Sequence, residues 1–251
     1  MTGPVAHDIA AYALRLGDDA LILSQRLGEW TGSAPELEED IALTNIALDL
    51  LGQARALLTY AGQVEGAGRT EDDLAYLRDE REFTNCLLVE LPNDDFAVTI
   101  ARQLIFSSYQ YQLYDALRES TDETLAAIAG KAVKEVAYHR DHAQQWVLRL
   151  GDGTDESHER MQRGLERMWP YGYELLQRDE LIDRLPGVAV EPDRLRPSYD
   201  FVVNVINEAT LTHPQIDWHP SGGRQGMHTE HMGRLLAEMQ YLHRSHAGAA
   251  W

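Results

Sequence analysis

Apolar residues recur at intervals of three and four along almost the whole chain, and the strict alternation of a half-buried strand is missing. The pattern predicts an all-α protein. Helices are predicted over roughly 7–28, 36–64, 71–91, 94–119, 122–150, 155–184, 194–212 and 229–246, each end good to a few residues. Ser33-x-x-Glu36 and Thr70-x-x-Asp73 read as a capping box and its near relative, and Asn93, Thr121, Thr154 and Thr229 read as helix caps. Glycine and proline punctuate the intervals, at Gly28, Gly62 to Gly68, Pro92, Gly151 to Gly153, Pro186-Gly187 and Gly222-Gly223. The second to fifth helices are long and closely joined, which predicts antiparallel neighbours in an up-and-down bundle. The proline-bearing stretch 185–200 reads as a surface excursion and 222–226 as a loop.

A chain of 251 residues suits one large hydrophobic core, so a single helical domain over 1–251 is expected. With 41 acidic against 22 basic residues the formal charge is −19, which repels nucleic acid and anionic membrane surfaces. Neither is expected as a partner. The single cysteine, Cys86, lies among Leu87, Leu88 and Val89 and reads as a buried thiol in a reducing compartment. Residues 1–7 have no basic leader and no later run reaches the length of a membrane span, so the expected location is the cytoplasm.

The candidate chemistry lies in two incomplete repeats. Glu-x-x-His on a helix sets a carboxylate and an imidazole on one face, the unit from which di-iron bundles build their metal site. Glu80-Arg-Glu-Phe83 keeps the acid and has Phe83 where the histidine would stand, and Val136-Ala-Tyr-His139 keeps the histidine and has Val136 where the acid would stand. A phenyl ring and an isopropyl group offer a metal no lone pair. Glu135, one position from Val136, is spaced to reach the His139 ring at i, i+4. From Ile41 to Ala61 the only charges are Asp49 and Arg55, so Asp49 needs a partner, either a metal or a polar column with Asn45 and Gln53. From Phe96 to Tyr114 there is no acid at all, although each helix of a di-iron bundle supplies one.

Of the six ligands such a site requires, only Asp49, Glu80 and His139 remain as inward-facing candidates, with an internal polar network as the simpler use for them. His228-Thr-Glu-His231 has the look of a metal motif but falls in the first turn of the last helix, where surface or interface roles are expected. No phosphate-binding glycine loop, nucleophile elbow or Cys-x-x-Cys is present.

Several segments together resemble one family. They are Tyr12-Ala-Leu-Arg-Leu-Gly-Asp18, Leu23-Ser-Gln-Arg-Leu-Gly-Glu-Trp30, Leu48-Asp-Leu-Leu-Gly-Gln-Ala-Arg55, Arg78-Asp-Glu-Arg81, Asn207-Glu-Ala-Thr-Leu211, His228-Thr-Glu-His231 and Leu236-Ala-Glu-Met-Gln-Tyr-Leu242. The chain is similar, from near residue 10 to its C-terminus, to the PaaC subunits of bacterial phenylacetyl-CoA 1,2-epoxidases. The resemblance implies a ferritin-like fold with additional C-terminal helices, in a multicomponent monooxygenase of aerobic phenylacetate degradation. It implies a non-catalytic subunit that binds and stabilises a PaaA-like di-iron subunit beside other epoxidase subunits. No cofactor is expected in this chain, the di-iron residing in the partner and the electrons coming from NADPH through a reductase. Asp49, Glu80, Phe83, Glu135, Val136 and His139 are then vestigial metal-site positions. The rival readings are an autonomous ferritin-like di-iron oxygenase or iron-binding protein using Asp49, Glu80, Glu135 and His139, and a module that binds the CoA ester.

Overall fold

The computed structural model describes residues 3–246, 248 and 249. The class is all-α, as the periodicity predicts. Helices α1 (Pro4–Gly28), α2 (Leu37–Glu65), α3 (Glu71–Tyr76), α4 (Leu87–Glu90) and α5 (Phe96–Leu117) are followed by α6 (Glu123–Gly151), α7 (Asp155–Met168), α8 (Glu180–Arg184), α9 (Arg196–Glu208) and α10 (Glu230–Ser245). Short 3₁₀ segments occur at Glu80–Glu82, Trp169–Leu176, Pro192–Leu195 and Gly223–Gln225. Two compact units emerge, one of residues 1–92 with 222–251 and one of residues 93–221.

In the first unit α1 and α2 run antiparallel. Ser24 Oγ donates to the Ala47 carbonyl at 2.7 Å, and a Cβ on Gly17 would meet Leu57 and Leu58, so the sequence order reverses between the helices. Gly17 thus lets the two helices approach closely there. The core between them holds Ala13, Leu16, Ala20, Leu27, Leu43, Ile46, Leu50 and Leu57. Burial of the leucine and isoleucine side chains among these is worth roughly 1.5–3 kcal/mol each. In the second unit α5 and α6 are antiparallel as well, with the Phe96 and Trp146 rings 4.9 Å apart at one end and the Arg140 guanidinium 3.7 Å from the Tyr111 ring centre further along the pair. Helix α5 is buried on nearly every side, which explains why its sequence carries no one-sided stripe. Antiparallel pairs of long helices are the material of a ferritin-like fold.

Two predicted helices are broken. The span 71–91 becomes α3, a 3₁₀ turn, an extended stretch and α4. Arg78 turns back to donate from Nε to the Leu74 carbonyl, and Asp79 opens a new capping box with Glu82, whose Oε2 accepts from the Asp79 amide at 2.7 Å. The span 155–184 tightens into 3₁₀ geometry from Trp169, where Pro170 lacks an N–H, and restarts at α8 under the Asp179 cap. The sequence pattern assigns the bundle to the second to fifth predicted helices, but the four long helices are α1, α2, α5 and α6.

Among the caps, Thr70, Thr154 and Thr229 stand as predicted, whereas α2, α5 and α6 begin after Glu36, Asp95 and Asp122. Ser33 instead donates to the carbonyls of Glu29 and Trp30.

Helix α2 is long and apolar enough to cross a bilayer by length and composition, a property the run-length reading of the sequence misses. One of its faces packs against α1. The other is exposed and still apolar, carrying Leu37, Ile41, Leu48 and Leu51 at 72, 54, 59 and 43% exposure. Their spacing of three, four and seven sets them in one stripe.

Candidate functional site

The six predicted site positions divide between the units. Asp49 is half-buried on α2, between exposed Asn45 and buried Gln53. Glu80 is exposed on the 3₁₀ turn, and Phe83 is fully buried in the extended stretch that follows. The expectation of a helical Glu80-to-Phe83 repeat with Glu80 pointing inward is therefore corrected, because the helix ends at Tyr76 and the two residues never share a helical face.

In the second unit the helical relation does hold. Val136 and His139 lie on the buried face of α6 with Ala132 and Ala143, and half-buried Glu135 sits 3.8 Å from Lys131. Among the described residues no group of three or more His, Cys, Asp or Glu side chains could hold a metal ion. These six positions do not fit a di-iron centre: of their three carboxylates Glu80 is exposed, Asp49 lies in the other unit from Glu135, and two positions hold hydrocarbon.

The charged side chains that do converge lie in the first unit, built on Asp18 and Asp19 of α1. Asp18 is fully buried and forms an ion pair with Arg78, which is 3% exposed. Asp18 also accepts from the Thr84 amide at 2.9 Å and the Thr84 hydroxyl at 3.1 Å. Asp19 accepts from the Cys86 amide at 2.8 Å and from both terminal nitrogens of Arg224, at 2.9 and 2.8 Å. A fork-to-fork pair of that kind is directional as well as strong.

The two carboxylates therefore take up amides that the extended residues 83–86 cannot satisfy within a helix. Without them these amides would be buried and unpaired, at a cost of about 1–3 kcal/mol each. Arg78 also lies over the Phe83 ring, 4.1 Å from its centre, so the phenyl group supports a cation.

A second cluster centres on Glu90, at the end of α4. Its carboxylate accepts from Asn85 Nδ2 at 3.0 Å, from His228 Nδ1 at 2.7 Å and from the Thr229 amide at 2.5 Å. Arg26 of α1 donates twice to the Glu90 carbonyl, at 3.0 and 2.8 Å. His228 Nε2 donates to the Phe83 carbonyl at 3.0 Å. With an acceptor at each ring nitrogen, the site favours the imidazolium.

Burial is the largest single influence on His228 and by itself lowers its pKa. The Glu90 hydrogen bond and charge, the Phe83 carbonyl and the Glu80 charge together outweigh it and hold the pKa above the usual histidine value. The side chains of His228 and Glu90 are fully buried, which corrects the expected surface placement of His228.

Helix α10 completes the cluster by supplying donors to the frayed end of α3. Gln240 Nε2 donates to the Ala75 and Arg78 carbonyls, and Arg244 donates to those of Tyr76 and Arg78. All these groups are engaged with one another, so the network's chemistry is to fix residues 78–90 and 224–231 against α1.

Sequence reasoning passes over Asp18, Asp19, Glu90 and Arg224. A signal exists: Asp18-Asp19 and Glu90 are acids within apolar runs, the criterion that singles out Asp49. Asp18, Arg78 and His228 also sit in three of the segments that carry the family resemblance.

Beside the exposed stripe of α2 runs a groove of about 290 Å³, lined by residues that include Leu21, Thr44, Leu48, Leu51 and Met239. It extends the apolar surface from α2 onto α1 and α10.

Comparison with known proteins places these observations. Residues 3–251 match the family model for the phenylacetic acid catabolic protein, PaaA_PaaC. The C-type subunit of the 1,2-phenylacetyl-CoA epoxidase of Escherichia coli (strain K12) is 51% identical over 248 residues, spanning 98% of this chain and 100% of that protein.

Proposed function

The chain belongs to the phenylacetic acid catabolic protein family, and on that premise we propose that it is the PaaC-type subunit of a cytoplasmic phenylacetyl-CoA epoxidase, non-catalytic itself, which binds and stabilises the PaaA-like di-iron subunit. The relative's name, that of an epoxidase subunit, supports membership of a multi-subunit enzyme. The iron chemistry and the electrons from NADPH, passed by a reductase, then belong to other chains of the assembly.

The observation that carries the reading is the exposed stripe of α2. Large apolar side chains at 37, 41, 48 and 51 lie on one helical face with an apolar groove beside them. Contiguous exposed apolar surface of this kind marks interaction sites, and permanent interfaces resemble a core cut in half. The internal ion pairs support it from the other side, since they hold that unit rigid with charges the interface does not need.

Coexpression with the di-iron subunit tests the reading. Leu48→Asp with Leu51→Asp alters only exposed positions of this chain, so its circular dichroism should stay native while the affinity for the di-iron subunit falls by about 100-fold, as when two buried interface anchors are lost. Unchanged assembly would refute the α2 surface as the interface. Purified alone, the chain should hold only trace iron, and about two irons per chain would restore the autonomous di-iron reading.

A further inference from the structure

We propose that the second unit contains a binding site for a small aryl compound bearing a single acidic group. The site is a cleft of about 610 Å³, partly open to solvent and lined by α5, the 3₁₀ segment Trp169–Leu176, α9 and the loop that follows α9. Cavities of roughly 300–1,000 Å³ accommodate ligands of drug size.

Its walls are aromatic and held in place. The Trp169 and His213 rings meet edge to face at 4.5 Å, and Tyr173 stacks on His219 at 4.6 Å. His213 Nδ1 donates to the Pro214 carbonyl at 3.0 Å, and its Nε2 lies 3.3 Å from the Tyr199 hydroxyl, so the ring cannot turn away. The loop itself is pinned where it begins, Gln162 exchanging two hydrogen bonds with the backbone of Thr212, at 2.8 and 3.0 Å. Rings fixed at stacking separation offer faces and edges to another flat ring.

The acidic group follows from charge. Arg196 lines the cavity and forms no ion pair among the described residues, although the chain has 41 acids to 22 bases. A guanidinium on an aromatic wall with no carboxylate of its own is a ready partner for a carboxylate or sulfonate. Asp217, also on the wall, disfavours a second negative charge on the ligand. The site lies wholly within residues 93–221 and rests on no partner chain.

Calorimetric titration of the full chain tests this with two probes, 1-naphthaleneacetate and its neutral analogue 1-naphthaleneethanol. One molecule of each should bind per chain, the acid more tightly. Arg196→Gln should weaken the acid about tenfold and leave the alcohol unchanged, and Tyr199→Ala should weaken both about tenfold. Leu48→Asp with Leu51→Asp should change neither, which separates this site from the α2 surface and its failure from that of the interface. Absence of saturable binding to the native chain at millimolar concentration, or equal weakening of both probes by Arg196→Gln, would overturn the proposal.

Discussion

Replacing Asp18 with asparagine conserves shape and removes one charge from the most enclosed arginine–carboxylate pair described. The carboxylate accepts from the Arg78 guanidinium, the Thr84 amide and the Thr84 hydroxyl, and it is wholly buried. An amide can accept from only some of these donors, and its own NH₂ must face one of them. The larger loss is electrostatic, because Arg78 is left as a buried cation with no counter-charge. Breaking such a pair from one side costs about 3–5 kcal/mol, a large part of the ~5–15 kcal/mol by which domains are stable. Arg78→Met, which strands the carboxylate instead, should cost a similar amount. The double variant should be less damaging than the sum by about 0.5–3 kcal/mol, the coupling expected of groups in direct contact. Urea unfolding followed by circular dichroism measures all three, and hydrogen exchange at the Thr84 amide reports the local loosening. A cost below about 1 kcal/mol for Asp18→Asn, or strict additivity in the cycle, would refute the role assigned to the pair.

The His228 and Glu90 contact should make stability depend on pH. Because the folded pKa of His228 is raised, its contribution is fully present below the unfolded value of about 6.5 and is lost as pH rises through the folded one, so the urea midpoint should fall over that window and His228→Gln should flatten the fall. Gly226 has φ of 71° and a Cβ there would run into the Arg81 carbonyl, so Gly226→Ala should cost upwards of about 1–3 kcal/mol in the same assay. A cost near zero would show that the turn can relax. The Cys86 thiol is fully buried and its amide is held by Asp19, so a thiol reagent should react far more slowly with the folded chain than with the unfolded one. Asp19→Asn should speed that reaction, and reaction of the native thiol at the unfolded rate would contradict the burial.

Long periodic segments are legible in the sequence, and segments governed by distant partners are not. The α6 stripe of Leu125, Ala129, Ala132, Val136, His139 and Ala143 is local information and reads correctly. Residues 71–91 have an equally helical pattern, but the helix stops because Arg78, Thr84 and Cys86 bond to carboxylates some 60 residues earlier in the chain. No local propensity encodes that competition. The same blindness moves Glu80 from an inward helical face to an exposed turn and leaves His228 on a surface it does not occupy. Phe83 reads as the loss of a ligand, and its place beneath Arg78 depends on a fold that one helical period cannot reveal.

The pairs Asp19 with Arg224 and Glu90 with His228 join partners more than 130 residues apart, across the whole of the second unit. On the ribosome, Asp19 and Glu90 are made long before the residues that neutralise them. Through that interval α1 and α4 carry uncompensated acids, and the second unit can fold while the first stays open. Emergence of Arg224 and His228 is therefore the event that closes the first unit. A nascent chain arrested before Arg224 should remain protease-sensitive around residues 78–90 while residues 93–221 resist digestion.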